Sequence, residues 1–247
     1  MRRTLAVLGI AAALTAICGA TRSAEVTALE DAPPYALPDL DHGLLQSPVN
    51  ILTHDAVRGT HRLRFAPPAR GLERVEHTGH SVQLSFAAGG YVRFDGRDSE
   101  LLQLHFHTPS EHQIDGVTYP MEMHVVSRHD GEHGAPKYVV IGVLFKMGKP
   151  NAFIDQFIDR VPSDGGDWQA LPPGSVNVAD CFELEALNHH YHYRGSLTTP
   201  PYTEAVDWLV MEQAIEASPQ QLARLNHIEG NNARHVQALF DRRIDHE

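Results

Sequence analysis

The sequence predicts a mainly β protein, a single domain built on a large, mostly antiparallel central sheet with a few short peripheral helices. Short apolar runs recur along the chain, broken by Gly, Pro and Asp, which is the spacing of strands and turns. Several runs alternate apolar and polar residues with period two, while helical periodicity is confined to two pieces. At 247 residues the chain can bury one substantial core, so a second domain is not required.

Taken in order, Met1-Arg2-Arg3, an apolar run from Leu5 to Ile17 and the small residues Cys18, Gly19 and Ala20 follow the pattern of a secretory signal peptide. The run is too short for a transmembrane helix. Residues 1–20 are therefore expected to be cleaved after Ala20, giving a periplasmic or secreted protein with no membrane span. Acylation of Cys18 is disfavoured by the bulky Ile17, and Arg2-Arg3 alone is little evidence of twin-arginine export. Residues 21–45 are polar, and Pro33, Pro34 and Pro38 argue for an irregular segment. From Ser47 the strand runs are Leu63–Phe65, Ser81–Phe86, Tyr91–Phe94, Leu101–His107, Met121–Ser127, Tyr138–Phe145 and Ala205–Met211. Tyr138–Phe145 is apolar on both faces, as expected of a central strand. The helical pieces are Ala152–Arg160 and Pro219–Leu225, the latter with Ser218 as N-cap and Pro219 at the first helical position.

A formal net charge of −11 argues against nucleic acid and anionic membrane surfaces as partners, both of which favour basic patches. Once the leader is removed, Cys181 is alone and cannot form an internal disulfide.

Four residues carry most of the chemistry. Side chains two apart on a strand share a face. Leu102, Leu104 and Phe106 therefore fall on one face, and Gln103, His105 and His107 on the other. In the next run Met121, Met123 and Val125 oppose Glu122, His124 and Val126. If the two strands pair, His105, His107 and His124 converge from one surface, which suits tetrahedral zinc with one position open to water. With 17 histidines in the chain, a lone His-x-His is often only a solvated strand face. Here the histidines stand where a half-buried strand would carry polar groups at a cost, so partners or a metal are needed.

Other motifs fit the same reading: Gln46-Ser47-Pro48-Val49-Asn50, Thr78-Gly79-His80-Ser81-Val82, Ser110-Glu111-His112, Gly195-Ser196-Leu197-Thr198-Thr199-Pro200-Pro201 and Glu229-Gly230-Asn231-Asn232-Ala233-Arg234. In this order, over most of the chain from about residue 46, the sequence resembles the α-class carbonic anhydrases. The resemblance makes residues 46–247 the catalytic domain, with the α-carbonic anhydrase fold. It implies reversible hydration of carbon dioxide to bicarbonate, with Zn2+ on His105, His107 and His124 completed by water or hydroxide. Gln103 and Glu122 would accept imidazole N–H bonds and fix ring orientation. Thr198 would accept a hydrogen bond from the zinc hydroxide and donate its own proton to Glu111, presenting a lone pair to substrate. The apolar substrate wall would be Val126, Val140, Leu197, Val206 and Trp208, with Thr199 beside it. His80 matches the position of the proton shuttle, a task that suits an imidazole titrating near neutrality. Sulfonamides and small anions are the expected inhibitors and esterase chemistry a side reaction. A homodimer is a hypothesis drawn from bacterial members.

Two departures stand out. Where secreted bacterial members commonly carry a disulfide, this chain has Leu40 and Tyr202, so the tie between the N-terminal segment and the Thr198 loop is absent. The aromatic N-terminal stretch of the family is reduced to Tyr35, which predicts slower proton transfer. The alternative of a catalytically silent carbonic-anhydrase-like binding protein is opposed by the intact histidines, Thr198 and Glu111.

Overall fold

The computed structural model describes residues 43–247 apart from residue 183. The leader expected over residues 1–20, the irregular segment before residue 43, Tyr35 and Leu40 lie outside the described residues. In chain order, β1 (Asn50–Ile51) and β2 (Val57–Arg58) are followed by β3 (Leu63–Ala66), β4 (Leu72–His77), β5 (Val82–Phe86), β6 (Tyr91–Phe94) and the long β7 (Arg97–His107). Next come β8 (Gln113–Ile114), β9 (Val117–Thr118), β10 (Met121–Asp130) and β11 (Pro136–Met147). Helix α1 (Ala152–Phe157) precedes β12 (Trp168–Ala170), β13 (His190–Gly195), β14 (Val206–Met211) and β15 (Ile215–Ala217). Helix α2 (Pro219–Glu229) and β16 (Asp245–His246) complete the described elements.

Thirteen strands form one sheet, whose main path runs β12-β4-β5-β7-β10-β11-β14-β13-β16-β2. Most neighbours are antiparallel, as expected, but β11 and β14 run parallel, so the sheet is mixed. The central placement of β11 follows from its sequence. Val139 to Phe145 is buried without interruption, and only a strand covered on both faces stabilises so continuous an apolar run. One face of the sheet packs Leu104, Phe106, Met121, Met123 and Ile141 against α1. The other face packs Val126, Val140, Tyr193, Val206 and Trp208, and it carries the site.

The helix expected over Ala152–Arg160 is α-helical to Phe157 and then tightens into a 3-10 turn over Ile158–Arg160. Helix α2 starts as predicted, with the Ser218 side chain and Gln221 forming a reciprocal capping box, but runs on to Glu229.

The face assignment of Leu102 needs correction. Along β7 the pairing with β10 steps from Gln103 opposite Val126 to Leu101 opposite Ser127, leaving Leu102 as the extra residue of a bulge. Leu101 takes the core position, at 3 % exposure, while Leu102 is turned out, at 37 %. Strands β4, β12 and β13 also exceed the prediction. In β13, His190-Tyr191-His192-Tyr193 looks too polar for an inner strand, yet all four residues are buried.

Candidate metal centre

The three histidines are brought together by strand register. On β10 and β7, His124 lies opposite His105 and Glu122 lies opposite His107, with all four on the face away from Phe106 and Met123. One ring nitrogen from each of His105, His107 and His124 falls within a mutual spacing of 4.8 Å. The other nitrogens are held from behind: His105 Nδ1 is 2.9 Å from Gln103 Oε1, and His124 Nε2 is 2.9 Å from Glu122 Oε1. An acceptor on those atoms fixes the tautomer, so His105 Nε2 and His124 Nδ1 carry the free lone pairs. Neither ring nitrogen of His107 makes a hydrogen bond of ordinary geometry among the described residues, although both are buried. His107 Nδ1 lies 3.5 Å from Glu111 Oε1, which leaves Nε2 as its donor, and the cluster offers three neutral nitrogen donors.

Electrostatics favour that state. Burial holds His105 well below the ordinary imidazole range, helped by the neighbouring imidazoles, and brings His107 down to about 4. His124 is also lowered by burial, against the opposing pull of Glu122. The rings are therefore neutral and able to coordinate at neutral pH. For Glu122 burial alone would raise the pKa, but His112 and His124 outweigh it and keep the group ionised.

Glu122 is the hub of a buried chain of polar contacts. Its Oε2 accepts the backbone N–H groups of Glu111 and His112, at 2.9 and 2.8 Å, and its Oε1 also lies 2.7 Å from His112 Nδ1. On the far side of His112, Nε2 is 2.6 Å from the Tyr193 hydroxyl, which is 2.9 Å from Ser47 Oγ. The small residue opposite His124 on β11 is part of the same design. A Cβ on Gly142 would come within 3.0 Å of Glu122 Oε1.

Glu111 is buried beside the histidines, and its Oε1 accepts the Arg234 backbone N–H at 2.8 Å. Burial raises its pKa, opposed by His124, by the Thr198 hydroxyl and by that N–H. A cation on the three histidines would draw it back towards the ionised form. Thr198 is buried in the loop that follows β13. That loop is tied to the N-terminal segment without a covalent staple: Ser47 N–H donates to Ser196 Oγ at 3.0 Å, and Ser196 N–H donates back to Ser47 Oγ at 3.1 Å. Gln46 Nε2 donates to Glu204 Oε1 at 3.0 Å, and Arg234 Nη1 donates to the Ser47 carbonyl at 2.7 Å.

A cavity of about 220 Å³ opens over the cluster. It gathers Gln103, His105, His124, Val126, Val140, Leu197, Thr198, Thr199 and Trp208 from the expected residues. His107 and Glu111 lie behind that wall, buried. Val206 is buried in the same apolar cluster but borders a second cavity elsewhere on the sheet. His80 sits in an exposed turn between β4 and β5, its carbonyl accepting from Asn232 Nδ2 at 2.8 Å. Sequence reasoning missed Leu102 and Tyr138, which also line the cavity, and the roles of His112, Tyr193 and Arg234. Leu102 was hidden by the bulge. His112 was visible only as part of the Ser-Glu-His motif, without a signal of its own.

The family model described as eukaryotic-type carbonic anhydrase matches residues 36–247. The chain belongs to this family. As a carbonic anhydrase it is 34% identical over 222 residues to a carbonic anhydrase of a Nostoc species, covering 87% of this chain and 80% of the relative. It is 35% identical over 202 residues to a carbonic anhydrase of Neisseria gonorrhoeae, covering 80% and 75%. Among solved structures it resembles the α-carbonic anhydrase of Thermovibrio ammonificans, solved with the inhibitor sulfanilamide. The TM-score is 0.75 at 32% identity, over 82% of this chain and 87% of that one. The predicted fold class and enzyme class are both borne out, and carbon dioxide hydration is the activity of the family to which this carbonic anhydrase belongs.

Proposed function

We propose that this carbonic anhydrase works with Zn2+ held by His105, His107 and His124. The observation that carries the reading is the convergence of three neutral imidazoles, two of them oriented from behind and lining an apolar cavity, the third buried behind its wall. When bound there, zinc would lower the pKa of water to about 7 and so supply a nucleophile at neutral pH. Thr198 would orient a water at the site by accepting a hydrogen bond from it, because the Thr198 hydroxyl directs its own hydrogen to the acceptor-only Glu111 carboxylate. Gln103 and Glu122 keep two rings in the tautomer that faces the metal. Val126, Val140, Leu197 and Trp208 give carbon dioxide an apolar surface where it competes with little bound water, and Val206 supports that wall from β14. His80 carries the released proton to solvent. Export through the residues 1–20 leader places the enzyme outside the cytoplasm.

Metal analysis of the purified protein combined with stopped-flow carbon dioxide hydration tests this reading. Zinc should be present, hydration should be rapid, and an aromatic sulfonamide should block both hydration and any ester hydrolysis. His107→Ala should lose zinc and hydration together. Bound zinc without hydration would overturn the enzymatic assignment and leave a binding protein on the same fold.

A further inference from the structure

A second group of ligand-type side chains lies on the sheet away from the first. His61 precedes β3, His192 is on β13, and Asp245 is directly opposite His192 on the C-terminal strand β16. One donor atom from each falls within a mutual spacing of 4.8 Å. Asp245 Oδ2 is 3.4 Å from His61 Nε2 and 3.9 Å from His192 Nδ1.

The other nitrogen of each ring is held by a separate carboxylate. His61 Nδ1 is 2.7 Å from Asp95 Oδ2, and His192 Nε2 is 3.1 Å from Asp207 Oδ1. Asp95 is itself anchored, its Oδ1 accepting the Arg62 backbone N–H at 2.9 Å. Asp207 behind His192 places the proton on Nε2, so the Nδ1 lone pair faces Asp245, whereas His61 Nε2 lies within hydrogen-bond reach of Asp245 Oδ2 and an ion bound there would displace its proton. This carboxylate-histidine arrangement is the one that orients metal-binding histidines in proteins. His192 is only 8 % exposed, and its Nδ1 is buried with no hydrogen-bond partner among the described residues. Phe94 packs against both imidazoles, with ring centroids 5.2 and 5.0 Å away, and fixes their planes. Asp245 Oδ1 accepts from Arg243 Nε at 2.6 Å, which leaves Oδ2 turned to the two histidines.

We propose that His61 Nε2, His192 Nδ1 and Asp245 Oδ2 form a second metal site that takes a divalent first-row transition ion such as Zn2+. The donor set of two imidazoles and one carboxylate suits zinc, and a fourth position faces a cavity of about 420 Å³ bordered by both histidines. The site joins three segments distant in sequence, clamping the C-terminal strand and β13 to the residues before β3. Since β13 runs directly into the loop carrying Thr198, the ion acts as a structural clamp upstream of the catalytic loop, distinct from the catalytic zinc.

The test uses the full-length chain, stripped with a chelator and titrated with Zn2+, with bound metal counted per chain and thermal unfolding recorded. The parent should bind two ions. His61→Gln and Asp245→Asn should each bind one, keep carbon dioxide hydration within about two-fold, and lose the upper part of the zinc-dependent rise in unfolding temperature. His124→Ala should also bind one ion, now at the second site, so failure of the catalytic assignment and failure of this one are distinguishable. Asp95→Asn should weaken the second site by about 10–100-fold without removing a ligand. A parent that binds one ion, lost entirely in His124→Ala, would overturn the proposal. So would two ions retained in both His61→Gln and Asp245→Asn.

Discussion

Replacing Glu122 by Gln changes one oxygen to an amide and tests how the metal centre is held. In the parent, Oε1 meets His124 Nε2 and His112 Nδ1, and Oε2 meets the backbone N–H groups of Glu111 and His112. All four partners are donors and the carboxylate is acceptor-only, so the match is complete. Glutamine cannot reproduce it in either orientation. With its NH2 group towards the backbone, two buried N–H donors are left unpaired, and at about 1–3 kcal/mol each the folded state loses about 2–6 kcal/mol. With its NH2 group towards the rings, both imidazoles must accept, which moves the His124 proton to Nδ1 and removes the lone pair meant for zinc. Affinity should then fall by about 10–100-fold, the cost usual for losing an outer partner of a metal ligand. Urea unfolding of the metal-free protein measures the first loss, and zinc competition with a chelator measures the second. If neither the urea midpoint nor the zinc affinity moves, the hub role assigned to Glu122 is wrong.

Val126→Tyr should fill much of the 220 Å³ cavity, lowering kcat/KM for carbon dioxide by about tenfold or more, or at least about 1.4 kcal/mol, while zinc content stays at the parental level. Full hydration activity in this variant would count against the substrate wall. His80→Ala should slow turnover about tenfold or more in weak buffer and recover with added imidazole; parental turnover without buffer would remove His80 from the proton path. Burial raises Glu229 from its ordinary 4.5 to about 8, although it accepts the Val82 N–H at 2.7 Å. The folded state therefore holds a proton that the unfolded state has released, so this contribution is complete below the unfolded pKa and lost as pH rises through about 8. Glu229→Gln keeps the acceptor and cannot ionise. Its advantage over the parent should grow between about pH 5 and pH 9 to the order of a few kcal/mol, at about 1.4 kcal/mol per unit. Parallel urea-stability profiles for the two proteins would contradict that.

The convergence of the three histidines was legible because period two is a rigid property of strands: once β7 and β10 pair in register, His105, His107, Glu122 and His124 have no other face to occupy. The same rule misplaced Leu102, since one unpaired residue reverses parity and leaves no mark in composition. Strand β13 is not among the predicted strands because His190-Tyr191-His192-Tyr193 is not an apolar run. Each buried imidazole there has one nitrogen paired, His190 Nδ1 with the Leu187 carbonyl three residues back and His192 Nε2 with Asp207 on the neighbouring strand. Contacts between residues far apart in sequence, such as Tyr193 with Ser47, have no local signature and emerge only when the sheet closes. Motif likeness identified Thr198 and Glu111. It could not show that Gln46 and Ser47, braced by Arg234, tie down the loop that carries Thr198.

The bulge at Leu102 separates two properties that an unbroken strand would couple. Its side chain borders the cavity, yet it has no partner across the ladder, so its identity does not influence which residues of β7 and β10 face each other. Position 102 is thus a site where natural variation or design can narrow, widen or recharge the cavity at constant strand register.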